Sequence, residues 1–394
     1  MNDRPTLAAP DDDPYLWLEE VEGARALDFV AAQNRRTLDK FGGAQFSADR
    51  DTLESIYDRP DNIPMVTRRG RYLYNLWKDA AHPRGLWRRT TLNSFRTQNP
   101  DWEILLDIDK LAADESEDWL LNWTSSRPGE HPQTIPSLSR GGSDAATLRE
   151  FDLDRKAFVT DGFVLPEAKG GAAWFDADTL LLHSAFGEGK ATTSGYARTV
   201  RLWRRGEPVE RAQVILQVPA DSMWVYCDVD LTGEHPRVWF IEAVDFFNHN
   251  IWLGDHTSAK VKFDLPTDIW MNAHADWIAV KPRSPWTVGG KTHAPDSVIG
   301  ISLSAFLAGN RDFKLVFDPG PRRALQGWFW SAGKLVLSIL DELKPVFEIC
   351  TPSTAGWTKQ TLQGLPDIGV ADVWLSIVTP PKAMATCLPI SRIR

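Results

Sequence analysis

Only three cysteines occur in 394 residues: Cys227, Cys350 and Cys387. They are odd in number and far apart, with no C-x-x-C step. That excludes a disulfide framework or a cysteine-rich zinc site and suits a reducing compartment. Met1 to Pro10 shows no basic stretch followed by an apolar one, so no secretory leader is expected. No apolar run reaches the ~18 residues that a membrane helix requires. The expected location is the cytoplasm, without a membrane partner. Charge of one sign is nowhere concentrated: the net charge is −9 and no block is long enough to act as a tail, so nucleic acid is not an expected partner. The basic doublets Arg68-Arg69, Arg88-Arg89, Arg204-Arg205 and Arg322-Arg323 are scattered and read as solvated strand edges.

Cofactor and metal patterns are missing as well. Gly187-Glu188-Gly189-Lys190 resembles part of a phosphate loop, but Ser184 and Ala191 stand where that loop needs a glycine and a hydroxyl residue. The acidic run Asp114-Glu115-Ser116-Glu117-Asp118 lacks the alternating ligands and central glycine of a calcium loop and reads as a solvated loop. Asp245, His249 and His256 match no metal-ligand spacing. Neither a cofactor nor a metal is expected.

What the chain does have is tryptophan, 18 of them, in an otherwise ordinary composition of 43% hydrophobic and 25% charged residues. Tryptophan suits half-buried strands. The first sixty residues nevertheless read as helical. Asp13 is a good N-cap with Pro14 behind it. A longer helix is expected from near Gly23, with Leu27, Val30, Ala31, Leu38 and Phe41 near the 3.6 period and Gly42-Gly43 as its stop; a short one follows over Asp49 to Tyr57. From Ile63 the texture changes to short apolar or alternating runs punctuated by Gly, Asp, Asn and Pro. Arg71 to Trp77, Gly85 to Thr90 and Trp102 to Ile108 form one group. Later groups include Trp119 to Trp123 with Thr147 to Asp152, then Ala172 to Phe175 with Thr179 to His183 and Thr199 to Arg204. Trp224 to Tyr226 goes with Arg237 to Ile241 and Asn250 to Leu253, Trp277 to Val280 with Ser297 to Ile301, and Lys334 to Leu340 with Pro345 to Ile349. The groups recur every roughly 45 to 60 residues, the spacing of β-propeller blades. About six complete blades are expected from Ile63 to Leu362, with a seventh begun at Asp372 to Val378.

Asp13-Pro14-Tyr15-Leu16-Trp17-Leu18-Glu19, extended by Ala31-Ala32-Gln33-Asn34, resembles the opening of prolyl oligopeptidase family peptidases. Glu103-Ile104-Leu105-Leu106-Asp107 and Phe163 to Gly170 are similar to blade segments of that family. The resemblance implies an all-β, seven-bladed propeller, its last blade incomplete, preceded by a helical segment. Residues 1–60 would be the helical segment, which in the family packs on an α/β-hydrolase domain, and 61–394 the propeller. It also implies a serine peptidase acting on short peptides, with the propeller gating access.

Catalytic residues do not follow. The hydrolase fold needs a G-x-S-x-G elbow, and the sequence contains none; Gly141-Gly142-Ser143-Asp144-Ala145 comes nearest and fails at its last residue. No catalytic residue can therefore be assigned, and the chain by itself is expected to be inactive. The run from Pro380 to Arg394 does not continue the family pattern, and a frameshift, premature stop or truncation near Lys382 is expected. The rival reading is a free-standing propeller that binds or scaffolds without catalysis. Candidates for a peptide cavity are Phe246 and Phe247, adjacent in an inter-strand loop where strand alternation cannot bury both, and Lys169, expected in a similar loop.

Overall fold

The computed structural model describes residues 13–20, 22–59, 61–62, 64–256, 260–364, 371–372 and 390–391. The chain divides into two compact units, residues 1–63 with 79–81, and residues 64–78 with 82–394.

In the first unit a 3₁₀ turn at Leu16–Glu19 precedes helices α1 (Ala24–Phe41) and α2 (Ala44–Tyr57). The Asp13 carboxylate accepts a hydrogen bond from the Tyr15 N–H at 2.8 Å, setting the entry turn. Gly42 ends α1, its N–H bonded to the Leu38 carbonyl. Gly43 is extended, so the chain re-enters a helix at once, and α2 starts earlier than the expected Asp49. Of these two helices only Ala26 is buried; Leu27, Val30, Leu38 and Phe41 of α1 and Phe46, Leu53 and Ile56 of α2 are exposed.

The second unit is built from antiparallel sheets in sequence order. The first holds Thr67–Arg69, Tyr72–Asp79, His82–Thr91 and Glu103–Asp107. The second holds Trp119–Ser126, Gln133–Arg140, Ala145–Arg149 and the start of Val164–Trp174. The rest of that long strand opens the third sheet, with Thr179–Ser184, Thr199–Arg204 and Gln213–Gln217. The fourth comprises Trp224–Asp230, Arg237–Ala243, His249–Gly254 and Val261–Lys262. The fifth comprises Ile269–His274, Trp277–Pro282, Val298–Ser302 and Lys314–Phe317. The sixth comprises Arg323–Ser331, Lys334–Asp341, Lys344–Ser353 and Gly356–Thr361. Ala371–Asp372 then pairs with Ile390–Ser391. The rest of the expected strand Asp372 to Val378 lies outside the described residues.

The core lies between successive sheets. Strand alternation sends neighbouring side chains to opposite faces. Leu180 and Leu182 therefore pack toward the second sheet, with Ile135 and Leu148, while Leu181 packs toward the fourth, with Val225 and Phe240. Ile278 and Val280 meet the fourth sheet, and Ala279 meets Leu335 and Leu337 of the sixth. The third and fifth sheets are thus buried on both faces by their neighbours, as in a β-propeller. This explains why their central strands read as continuous apolar runs rather than alternating ones.

Two expectations are corrected. Thr147 to Asp152 is not one strand: it breaks at Glu150, whose carboxylate turns inward and accepts the Phe163 N–H at 2.9 Å. The acidic run is largely exposed as expected but only in part a loop. Asp114 and Glu115 close helix α3 (Ile108–Glu115), and carboxylates of the run pair with Lys110, Arg149, Arg140 and Arg84. Among the described residues, no helix is long and apolar enough to cross a membrane.

Candidate functional site

Phe246 and Phe247 lie in the connection 244–248 between two strands of the fourth sheet. Asp245 holds this connection, its carboxylate accepting from the backbone N–H of Phe247 (2.7 Å) and Asn248 (2.8 Å). These bonds keep the Asp245 carboxyl below the usual carboxylate range. Both phenylalanines are left 71% and 55% exposed, and the Arg283 guanidinium lies 4.0 Å over the Phe247 ring.

Lys169 is not in a loop. It sits within the strand Val164–Trp174, opposite Ala145, at the last residue paired with the second sheet. The next residue, Gly170, begins the pairing with the third sheet. Its φ of +130° and the His183 carbonyl, 2.1 Å from where a Cβ would be, allow only glycine there. The strand thereby changes partners without leaving extended structure. The Lys169 ammonium lies 4.4 Å over the Tyr196 ring and 3.6 Å from Asp144. Asp144, bonded by the Tyr196 hydroxyl at 2.7 Å and near Lys169, is held below its ordinary pKa. The structure places Lys169 and the phenylalanine pair on different sheets. Ser143 sits in the hairpin turn beside Asp144, its Oγ accepting from the Ala145 N–H.

A pair not foreseen from the sequence is Cys227 and His183, with Sγ 3.6 Å from Nδ1. It has the form of a nucleophile and base. Burial pushes the thiol well up and the imidazole down to about 4, so both stay neutral at pH 7. A buried neutral thiol is inert as a nucleophile. The imidazole still bears on stability. An unfolded histidine binds its proton near pH 6.5, the folded one only near 4, so stability rises with pH between those values. Acidification from pH 7 to 4 is expected to remove up to about 3 kcal/mol through this group. Unfolding titrations of wild type and His183→Phe check this: the variant should lose that part of the acid dependence.

A cavity of about 390 Å³ runs along the first strands of the fourth and fifth sheets. Tyr226, Trp270, Met271 and Ile251 supply apolar and aromatic wall, and Asp228 and His249 the polar groups. Asp230 at one end is fully engaged, accepting from Arg237 Nε (2.8 Å), Trp239 Nε1 (3.0 Å) and the Thr232 N–H (2.8 Å). Burial alone would raise its pKa, but these bonds and the Arg237 charge outweigh that and hold it low. Asp228 is different: protein enclosure, then the nearby Asp230 charge, pushes its carboxyl up. The His249 ring packs 5.2 Å from Trp270, and burial lowers its pKa. An apolar cavity with a few convergent polar groups can hold a side chain or short peptide segment. The structure does not gather His249, Asp245 and His256: His256 packs at a tilt against Phe175, with ring centres 4.1 Å apart.

The chain is similar to known proteins along nearly all its length. A family model described as the prolyl oligopeptidase N-terminal β-propeller domain matches residues 9–371. A peptidase of Sinorhizobium fredii, y4nA, is 30% identical over 381 residues, covering 93% of this chain and 52% of the relative. A peptidase of Rickettsia prowazekii, RP174, is 26% identical, covering 89% of this chain and 51% of the relative. Among solved structures, a post-proline cleaving enzyme from Rickettsia typhi superposes with a TM-score of 0.82 at 24% identity, over 89% of this chain and 53% of that one. Oligopeptidase B from Trypanosoma brucei superposes with a TM-score of 0.70 at 16% identity, over 94% and 51%. The chain spans about half the length of the curated relatives it matches.

Proposed function

The chain belongs to the prolyl oligopeptidase family, whose N-terminal β-propeller domain it carries, and we propose that it is the non-catalytic, gating half of a serine peptidase that acts on short peptides. The observation that carries this reading is the match of one continuous propeller model to residues 9–371. Residues 61–394 form the propeller in this assignment, with Ala371–Asp372 and Ile390–Ser391 opening a seventh blade. Residues 1–60 form the surface for a catalytic domain. Two helices with Leu27, Val30, Phe41 and Ile56 exposed support that role, because apolar surface of this kind marks an interaction site. Phe246, Phe247 and Lys169 are assigned to the side that meets peptide. A propeller passage admits only unfolded chains, because a folded domain cannot thread between blades.

Supplying a catalytic half in trans tests the reading. The C-terminal half of the Sinorhizobium fredii relative, beyond the aligned region, is mixed with this chain. Co-elution and cleavage of a chromogenic proline peptide are expected, and Leu27→Glu with Val30→Glu should abolish co-elution. A wild-type chain that stays monomeric beside the catalytic half, with no gain in turnover, would instead favour the free-standing binding module.

A further inference from the structure

We propose that the cavity between the first and second sheets is a carboxylate pocket that takes the free C-terminal carboxylate of a short peptide. The cavity measures about 200 Å³ and lies between the hairpin Thr67–Asp79 and the connection 127–132. Four guanidinium groups line it, from Arg69, Arg71, Arg89 and Arg127, against two carboxylates, Glu130 and Asp154. In a chain of net charge −9 this is a local reversal of sign. The doublets Arg68-Arg69 and Arg88-Arg89 are therefore not the solvated strand edges that their spacing implies.

Arg69 and Arg89 are fixed in place. Arg89 is 6% exposed, donates from Nε to Glu103 at 2.6 Å, and reaches Asp154 at 3.5 Å. The guanidinium groups of Arg89 and Arg71 lie 4.3 Å and 4.9 Å over the Tyr72 ring. Arg69 donates from Nη2 to the Thr124 carbonyl (3.0 Å) and hydroxyl (3.1 Å). Its Nε and Nη1 are buried with no acceptor among the described residues, and burial pulls its pKa down. Buried charged donors without acceptors are destabilising, and a native site that keeps them calls for a missing partner. Water can accept hydrogen bonds from these N–H groups, but only an anion also offsets the excess positive charge.

The walls favour a monoanion on a small organic group. Glu130 is held close to the hairpin turn: a Cβ on Gly70, whose φ is +54°, would lie 2.8 Å from its Oε1. With Asp154 it repels a doubly charged phosphate more than a carboxylate. The Tyr72 and Tyr74 rings supply apolar wall for the residue that carries the carboxylate. That the carrier is a peptide rests on the function proposed above; the anion pocket itself does not.

Calorimetry on the 394-residue chain, with no catalytic half present, tests the pocket. The probes are a tripeptide ending in phenylalanine as the free acid, the same tripeptide amidated, and inorganic phosphate. The free acid should bind at least about tenfold more tightly than the amide. Arg71→Gln with Arg127→Gln, placed at the accessible rim, should remove that difference while the melting temperature stays near wild type. Equal binding of acid and amide, no binding of either, or an unaffected double variant would each overturn the pocket. Phosphate binding more tightly than the peptide acid would overturn the peptide assignment. Because catalysis is not read, failure of the trans experiment would leave this result standing, and the reverse also holds.

Discussion

The purified 394-residue chain should leave a chromogenic proline peptide uncleaved. Acyl transfer by a serine peptidase needs an activated hydroxyl, a base within hydrogen-bond reach and donors for the oxyanion. The sequence has no G-x-S-x-G elbow to present such a serine. Its nearest approach, Ser143, is bound into a hairpin turn by the Ala145 N–H. The thiol–imidazole pair of Cys227 and His183 has the right geometry in outline, but burial holds both groups neutral. Losing the nucleophile of a serine protease costs on the order of 10⁶ in kcat, and here the oxyanion site is missing from the sequence motif as well. Turnover should therefore match the buffer blank. Activity that co-purifies with the chain through several columns and resists serine-directed inhibitors would contradict the assignment.

Glu150→Ala should be among the most destabilising single substitutions in the propeller, about 3 to 5 kcal/mol, as for breaking a buried ion pair. Glu150 is 2% exposed and bridges two sheets. It accepts from Arg205 Nη1 at 2.8 Å and Nη2 at 3.1 Å, and from the Phe163 N–H at 2.9 Å. Alanine would strand that N–H and remove the bidentate partner of Arg205, whose pKa Glu150 raises above the usual value. Arg205 keeps Asp178 and the Ala177 carbonyl, which places the loss toward the lower end of the range. Glu150→Gln retains an acceptor for Phe163 and should recover part of it. Arg205→Lys should not, since an ammonium cannot repeat the two-point contact. Denaturant unfolding of the three variants checks the order, and an alanine variant as stable as wild type would remove Glu150 from its bridging role.

Much of the fold was legible locally. The stop at Gly42-Gly43 and the change of texture near Ile63 are set by backbone preferences within a few residues, whereas Asp13 does not cap the first helical turn: that turn starts at Leu16 with Tyr15 at its N-cap, and Asp13 instead holds the turn before it. The unbroken apolar run Leu180-Leu181-Leu182 lies in a strand that the sequence placed over Thr179 to His183, and it is covered on both faces. The opening motif was enough to point to the family that the propeller model matches.

The pockets were not legible in this way. Arg69, Arg89 and Arg127 come from strands and connections of two sheets, and nothing in the period of either says that the hairpin turn at Gly70 closes over the connection carrying Glu130. The ion pairs of the acidic residues near 115 were not legible because their arginine partners stand up to 34 positions away. Lys169 read as a loop residue because the change of partner at Gly170 depends on where the third sheet lies. The sequence alone determined that short strands recur in groups and where many of them run, since a period of two is a property of the chain itself. Which charged groups meet was decided only by sheet stacking, because that contact is made between residues far apart along the chain and is selected by burial, not by spacing.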